Sequence, residues 1–410
     1  MSHDSQSFTF TPVDGGVTAP QGFAAAAVAA GLKRAGALDV ALVVASAGPV
    51  PAAAVFTTNK VAAAPVIVSR RHIAGGSARA VVINAGNANA CTGAQGIMHA
   101  ENTAASLARL LGGKAEEIVV SSTGVIGVPL PVDLLLAALP PVVSGLSPQG
   151  GADAAQAIMT TDTVAKEAAV AVSVDGHTYT VGGMTKGSGM IAPNMATMIA
   201  VITTDAPLTI EACDAALRAA VGTTFNRVTV DTDTSTNDMA LLMASGAAGG
   251  ASIDVENPAF APVSAAIHAV CEALARMIAR DGEGASRLIT VTVSGAATDS
   301  DAEIAAFAIA GSPLVKTAVF GRDANWGRVA MAIGKSGCEL DPEAFDITFA
   351  GIDVCRAGAA LGFDEDAALE ALGAPDVAID VDLHLGDASA TVWTCDLTYD
   401  YVRINGEYRS

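Results

Sequence analysis

The chain has 410 residues and a formal net charge of −20, and only 4% of its residues are aromatic although 51% are hydrophobic. This length exceeds what a single hydrophobic core usually serves, so two domains or layers are expected. Nucleic acids and anionic membranes bind positive surfaces, and the strong negative charge therefore argues against both as partners.

Neither membrane insertion nor export is expected. One of the most hydrophobic regions, residues 37–56, is interrupted by Asp39, Pro49 and Pro51, which argues against a transmembrane helix. Residues 1–8 lack a basic segment followed by an apolar one, and they lack the Arg-rich character of a transit peptide. A cytoplasmic location is predicted.

The six cysteines are scattered, and no two of them have C-x-x-C spacing. The six histidines are equally dispersed, so neither a zinc site nor a disulfide framework is expected. We interpret the cysteines as reduced thiols packed as small hydrophobic groups.

The hydrophobic pattern predicts strands and helices in alternation, which indicates a mixed α/β fold with antiparallel hairpins. Asp175 and Gly176 are typical of a hairpin turn. In chain order, the predicted strands are residues 41–45, 80–83, 118–121, 168–174, 178–181, 198–203, 377–383 and 388–398, and the predicted helices are residues 100–111, 132–139, 208–221 and 261–280.

Residues 186–205 carry the strongest functional signal. A Gly- and Pro-rich approach, Lys-Gly-Ser-Gly-Met-Ile-Ala-Pro-Asn-Met-Ala, delivers Thr197 to the start of an apolar, strand-like run. A chain that cut itself between Ala196 and Thr197 would free a hydroxyl nucleophile with its own base, because a new α-amine has a pKa of about 7.7–8.0. Taken alone, the same residues also fit an ordinary buried strand after a loop.

The string from Lys186 to Met198 resembles the processing site of the ornithine acetyltransferase family, the bifunctional glutamate N-acetyltransferases of arginine biosynthesis. The match is ungapped, and further matching segments continue to the last residue. The resemblance implies that Thr197 is the nucleophile and that the chain is cut into an α-chain, residues 1–196, and a β-chain, residues 197–410.

A candidate oxyanion hole lies in residues 121–127, Ser-Ser-Thr-Gly-Val-Ile-Gly, directly after a predicted strand. A Gly-containing turn at a strand end exposes backbone N–H groups, although a plain strand-to-helix turn fits the same pattern. The family resemblance implies that Thr123 and Gly124 form the oxyanion hole.

The resemblance also implies substrate contacts besides Thr197. They are Thr160, Lys186 at a carboxylate, Glu283 at an amino group, and Asn405 and Ser410 in the C-terminal segment. Without the resemblance, each has a structural interpretation: a helix-end cap at Thr160, a solvated loop charge at Lys186, a Gly-stopped helix end before Glu283, and a frayed terminus.

The motif around Glu283 departs from the family's usual Asp-Gly-Glu-Gly-Ala-Thr-Lys, since Ser286 and Arg287 stand in its last two places. Arginine does not replace lysine equivalently at a bidentate site, which leaves a role for Arg287 in doubt. Residues 225–238 and 320–328 resemble family signatures to which the sequence gives no role.

The resemblance implies a ping-pong enzyme that moves an acetyl group from N2-acetylornithine to glutamate through acetyl-Thr197. Acetyl-CoA would be a second donor in a bifunctional member, and neither a metal nor an organic cofactor is required. The implied architecture is stacked β-layers flanked by helices, with a smaller C-terminal lobe of roughly residues 288–400 and an α2β2 assembly.

Two other functions fit the sequence less well. An N-terminal-nucleophile amidohydrolase or aminopeptidase would keep the same self-cleavage and pass the acyl group to water. A non-enzymatic binding or scaffold protein would stay uncut, and replacement of Thr197 would then change neither chain integrity nor turnover.

Overall fold

The computed structural model describes residues 8–34, 36–192 and 198–407. Two compact units divide the chain. Unit 1 draws on residues 1–187, 194–226 and 234–274, and unit 2 draws on residues 188–193, 227–233 and 275–410. The predicted cut before Thr197 is a different, covalent division of the chain, and it stays a prediction.

Unit 1 contains most of the strands. In chain order they are β1 (Thr11–Pro12), β2 (Phe23–Val28), β3 (Val40–Ala45), β4 (Val50–Phe56), β5 (Ser77–Ala78), β6 (Ala80–Asn87), β7 (Ile118–Val125), β8 (Lys166–Val174), β9 (His177–Lys186), β10 (Ile199–Thr204) and β11 (Met239–Ala244). The helices of this part of the chain are α1 (Ala64–His72), α2 (Gly93–Leu111), α3 (Val132–Ser144), α4 (Gly151–Ala157), α5 (Ile210–Thr223) and most of α6 (Phe260–Arg280).

The strands of unit 1 form two stacked sheets. One has the order β1-β8-β9-β10-β11-β4-β5 and the other the order β2-β3-β6-β7. Val43 and Ile83 from the second sheet share a buried core with Val201 and Leu241 from the first. The small and β-branched residues of this chain suit such packing, because they present a flat, well-filled surface.

Helices cover the outer faces of both sheets. Leu107 of α2 and Leu139 of α3 pack on the four-stranded sheet in a second buried core. On the seven-stranded sheet, Val270 and Leu274 of α6 lie over Gly183 of β9, where a Cβ would be only 3.2 and 3.0 Å from their methyl groups. Unit 1 is therefore a helix–sheet–sheet–helix sandwich.

Unit 2 forms around a single mixed sheet of order β15-β14-β13-β16-β12-β17. Its elements are β12 (Leu288–Ala296), α7 (Asp299–Ala310), α8 (Pro313–Phe320), α9 (Trp326–Gly334), β13 (Asp346–Phe349), β14 (Ile352–Arg356), β15 (Ala359–Ala360), α10 (Glu365–Ala371), β16 (Asp376–Asp382), β17 (Ala388–Cys395) and α11 (Tyr399–Gly406). Ile289, Ile309 and Val329 belong to its buried core.

The mixed α/β fold class is confirmed, and the hairpin between β8 and β9 turns where predicted. Asp175 and Gly176 both have positive φ, 49° and 81°. This is the backbone of a type I′ turn, whose twist matches that of the paired strands.

Several predicted boundaries are wrong. Helix α3 continues through Pro140 and Pro141 to Ser144, because buried Val142 extends its apolar face beyond the prolines. Strand β7 continues to Val125.

Helix α6 is long and apolar enough to cross a membrane, but half of its most apolar stretch is buried inside the protein, as in a core helix.

Candidate active site

Three of the predicted site residues, Ala196, Thr197 and Ser410, lie outside the described residues. Before the predicted cleavage site the chain is described as far as Ala192, and after it from Met198 onward. Lys186 ends β9 and pairs with Ile199, the first residue of antiparallel β10. The sheet therefore sets the predicted carboxylate-binding lysine directly opposite the residue that follows Met198.

Lys186 and Thr160, two predicted substrate contacts, meet at the carboxylate of Asp162. Its Oδ2 accepts the Thr160 N–H at 2.9 Å and lies 3.9 Å from Lys186 Nζ. Its Oδ1 accepts from Gly187 N and from Lys166 Nζ, both at 2.7 Å. One buried carboxylate thus fixes the backbone at Thr160 and at Gly187.

The electrostatics of this cluster keep Asp162 ionised. Burial, the largest influence, raises the pKa of its carboxyl group, but Lys186, Lys166 and the Gly187 N–H outweigh it and the pKa is lowered. Lys166 is fully buried and Lys186 is 2% exposed. The interpretation of Lys186 as a solvated loop charge is therefore wrong.

Lys33 contributes another ammonium group to this region. Its Nζ donates to the carbonyl oxygens of Ala157 and Met159, both at 2.8 Å, just before Thr160. Burial lowers the pKa of Lys33, and the negative charges of Asp39 and Asp162 oppose this. The segment that leads to Thr160 is thus tied to the loop before β3.

The predicted oxyanion residues Thr123 and Gly124 lie inside β7, and not in the turn expected at residues 121–127. Gly124 has φ of 135°, and a Cβ there would lie 2.3 Å from the carbonyl carbon of Gly86 on the neighbouring strand. Only glycine fits both constraints. The register between β6 and β7 shifts at Gly86 and Asn87, so the strand is irregular at the predicted site.

The predicted contacts of unit 2, Glu283 and Asn405, touch each other. Asn405 Nδ2 donates to Glu283 Oε2 at 2.7 Å and to the carbonyl oxygen of Tyr401 at 3.0 Å. Glu283 is 7% exposed, and a Cβ at Gly189 would lie 2.3 Å from its carboxyl carbon. The glycine before Met190 therefore makes room for this carboxylate, and Asn405 belongs to the ordered helix α11 and not to a frayed end.

The two residues that depart from the family motif, Ser286 and Arg287, are both held by Asp396. Arg287 Nη1 lies 3.4 Å from Asp396 Oδ2, and the backbone N–H groups of Ser286 and Arg287 donate to Asp396 Oδ1. Both residues therefore anchor the motif to the end of β17.

The two segments without a predicted role contain residues that make structural contacts. Within unit 2, Asp231 accepts the N–H groups of Met190 and Ile191 at 2.6 and 2.8 Å. Asn325 caps α9, and Arg328 Nη1 donates to the Leu314 carbonyl oxygen at 2.7 Å. Among the described residues, no group of three or more His, Cys, Asp or Glu side chains is placed to hold a metal ion.

A model of the ArgJ family matches residues 24–410. The chain belongs to the ArgJ family. The arginine biosynthesis bifunctional protein ArgJ of Symbiobacterium thermophilum is 53% identical over 398 residues, which cover 97% of this chain and 99% of that protein. The ArgJ of Geobacter sulfurreducens is 46% identical over 391 residues, 95% of this chain and 99% of that protein. The crystal structure of ArgJ from Bacillus halodurans has 49% identity and a TM-score of 0.49, covering 50% of this chain and 97% of that chain.

Membership of the ArgJ family makes this chain an enzyme of arginine biosynthesis and confirms the resemblance seen in the sequence.

The sequence patterns did not reveal three polar residues that lie near the predicted contacts: Asp162, Lys166 and Asp238. The only signal for Asp238 was its position directly before the wholly apolar strand β11.

Proposed function

We propose that this ArgJ-family chain is a self-processed acetyltransferase that transfers the acetyl group of N2-acetylornithine to glutamate. The observation that carries the proposal is the Asp162 cluster, in which one carboxylate holds the Thr160 N–H and faces the Lys186 ammonium group. A buried lysine held in this way suits a substrate carboxylate, which both amino acids possess.

In the proposed self-cleavage, Thr197 Oγ attacks the Ala196 carbonyl carbon and Thr123 and Gly124 stabilise the oxyanion. Removing one such donor typically slows acyl transfer about 10²–10³-fold. The resulting ester is hydrolysed, which leaves an α-chain of residues 1–196 and a β-chain of residues 197–410.

In the mature enzyme, the α-amine of Thr197 takes the hydroxyl proton as Oγ attacks the acetyl group. Ornithine departs, and glutamate then takes the acetyl group from the Thr197 ester. Glu283, Asn405 and Ser410 keep the substrate-binding roles that the family resemblance implies. Acetyl-CoA is a second donor if the enzyme is bifunctional. The proposal includes an α2β2 assembly in the cytoplasm and no metal or organic cofactor.

Denaturing intact-mass spectrometry tests this function. Wild-type protein should give two polypeptides that meet between Ala196 and Thr197, and N2-acetylornithine should add one acetyl group to the chain headed by Thr197. Added glutamate should remove that group as N-acetylglutamate. The Thr197→Ala variant should stay a single chain without an adduct.

Each alternative predicts a different spectrum. A wild-type chain that stays uncut and takes up no acetyl group would contradict the proposal. An acetyl group lost to water at the same rate with and without glutamate would support the amidohydrolase. Acetyl-CoA in place of N2-acetylornithine shows directly whether it is a donor.

A further inference from the structure

Two parts of unit 1 have to act together in the proposed acetyl transfer. The segment that carries Thr160 binds the amino acid, and the strands that carry Thr123 and Gly124 stabilise the oxyanion. A displacement of about 1 Å in a site can slow a reaction about 10²-fold. A side chain that touches both parts can therefore influence catalysis without touching the substrate.

We propose that Lys33 is a positioning residue that holds the Thr160 segment in place beside the strands of the predicted oxyanion hole. This inference rests on the proposed function, because the roles of Thr160, Thr123 and Gly124 belong to that function. Lys33 itself is not among the predicted contacts.

The apolar stem of Lys33 lies on the strands of the predicted oxyanion hole. A Cβ placed on Gly86 of β6 would lie 3.2 Å from Lys33 Cγ and 2.5 Å from the Leu32 carbonyl oxygen. Gly86 pairs with Gly124 of β7, where a Cβ would lie 2.3 Å from the Gly86 carbonyl carbon. The loop of Lys33, Gly86 and Gly124 are thus in successive contact, and both strand positions require glycine.

The ammonium group of the same side chain fixes the other part. Lys33 Nζ donates to the carbonyl oxygens of Ala157 and Met159, both at 2.8 Å, where α4 ends. An ammonium group suits this place, because the last carbonyl groups of a helix lack intrahelical partners and carry the negative end of its dipole. The next residue, Thr160, donates its N–H to Asp162 Oδ2 at 2.9 Å. Lys33 thus fixes the path of the chain from α4 to the Asp162 carboxylate.

Asp39 holds Lys33 and the strand beneath it together. Its carboxylate is fully buried and accepts the backbone N–H groups of residues 30–33 at 2.6 to 3.1 Å. Its carbonyl oxygen accepts the N–H of Ala85, the residue before Gly86, at 2.8 Å. Hydrogen bonds to an ionised acceptor are stronger than neutral ones, so this loop is a firm base for the Lys33 side chain.

Lys33 also shares the electrostatic environment of the predicted carboxylate-binding lysine. Burial, the largest influence, lowers the pKa of Lys33; the negative charges of Asp39 and Asp162 oppose this, and the positive charge of Lys186 adds to it. The hydrogen bonds of Lys33 Nζ to Ala157 and Met159 nevertheless go to backbone oxygens. This is why we assign the residue a positioning role and not a catalytic one.

A plain helix cap would stabilise the fold and do no more. Both interpretations predict that Lys33→Met, which keeps the apolar stem and removes the ammonium group, unfolds at a lower urea concentration than wild type. They differ in the Michaelis constants. Partial unfolding lowers the concentration of active enzyme, and so lowers the apparent kcat, but it leaves KM unchanged. A misplaced Thr160 segment raises KM.

The test is steady-state kinetics of the mature acetyltransferase with each substrate varied in turn. Lys33→Met should raise KM about 10-fold for N2-acetylornithine and for glutamate, the scale of one hydrogen-bonded charged group. Lys33→Arg keeps the charge and N–H donors and should restore most of the affinity. Lys60→Met, which removes an exposed lysine, is the control and should behave like wild type.

Unchanged KM values in Lys33→Met would overturn the inference even if the urea midpoint fell, because Lys33 would then only cap α4. Equal increases of KM in Lys33→Met and Lys33→Arg would also overturn it. If Lys33→Met yields no folded mature enzyme, Lys33→Gln takes its place in the same comparison. Wild-type protein that moves no acetyl group from N2-acetylornithine to glutamate would instead refute the proposed function, and this inference with it.

Discussion

Asp162 and Asp238 are both buried in unit 1, and Lys186 acts on both, yet their pKa values move in opposite directions. Asp162 receives the Lys166 ammonium group and two backbone N–H groups, so its charged form is favoured despite burial. Asp238 receives the Met198 N–H at Oδ1, and the positive charge of Lys186 and the hydroxyls of Thr57 and Ser235 also favour its charged form, yet burial prevails. The hydrogen-bonded ammonium group of Lys166 at Asp162, and not burial alone, separates the carboxylate whose pKa is lowered from the one whose pKa is raised.

The largest expected effect comes from removing the charge of Asp162. In a Thr197→Ala background, where every chain should stay uncut, Asp162→Asn should lower the free energy of unfolding by about 3–5 kcal/mol near neutral pH. The reason is that the fully buried Lys166 ammonium group loses its counter-charge at 2.7 Å. Urea denaturation of both proteins measures the difference.

Asp214→Asn is the matched control for this prediction. Asp214 and Arg218 are also paired four residues apart, at 2.8 Å, but their side chains are 48% and 62% exposed. An exposed pair contributes less than about 1 kcal/mol, so this variant should denature almost like the parent. Equal losses in the two variants would show that the Asp162 cluster is no stronger than a surface pair.

A smaller effect is expected for Lys186→Ala. Asp162 keeps Lys166 as its counter-ion, so the fold should be little disturbed, whereas the apparent affinity for N2-acetylornithine and glutamate should fall about 10- to 100-fold. Steady-state kinetics with each substrate measures this, with exposed Lys60→Ala as the control. Unchanged affinity for both donor and acceptor would refute the binding role of Lys186.

The sequence predicted those structural features that depend on residues close together in the chain. The Asp175-Gly176 turn and the apolar strands followed from local patterns. Helix α7 did not, because its Ala-rich run is apolar around much of its circumference and shows no clear period. The predicted nucleophile Thr197 and the cut before it remain predictions from the family resemblance.

The polar clusters could not be predicted in the same way. Some of their hydrogen-bond partners are distant in sequence, and others have a sequence spacing that is typical of a different structure. Asp162 and Lys166 have the spacing of a solvated helical pair, yet Lys166 begins a strand and both are buried. Asp238 meets Met198 across parallel strands, forty positions apart. A charged residue directly before a buried strand, as at Asp238 and Asp39, was the available signal.

The smallest expected effect is a gain, and not a loss, in the free energy of unfolding. The folded-state pKa of Asp238 is raised, so the native state holds its proton more tightly than the unfolded chain, and wild-type stability is lost as pH rises from 3.8 through the folded value. In the same Thr197→Ala background, Asp238→Asn should therefore match its parent near the ordinary carboxyl value. It should become more stable than its parent near pH 8, where the wild-type carboxylate must either stay protonated or carry an unfavourable buried charge. Asp162→Asn should show the reverse, with a deficit that shrinks as pH falls below 3.8, because the pKa of Asp162 is lowered. Urea midpoints across this range measure both slopes, and slopes of the same sign would mean that the two carboxylates do not differ in the way their partners indicate.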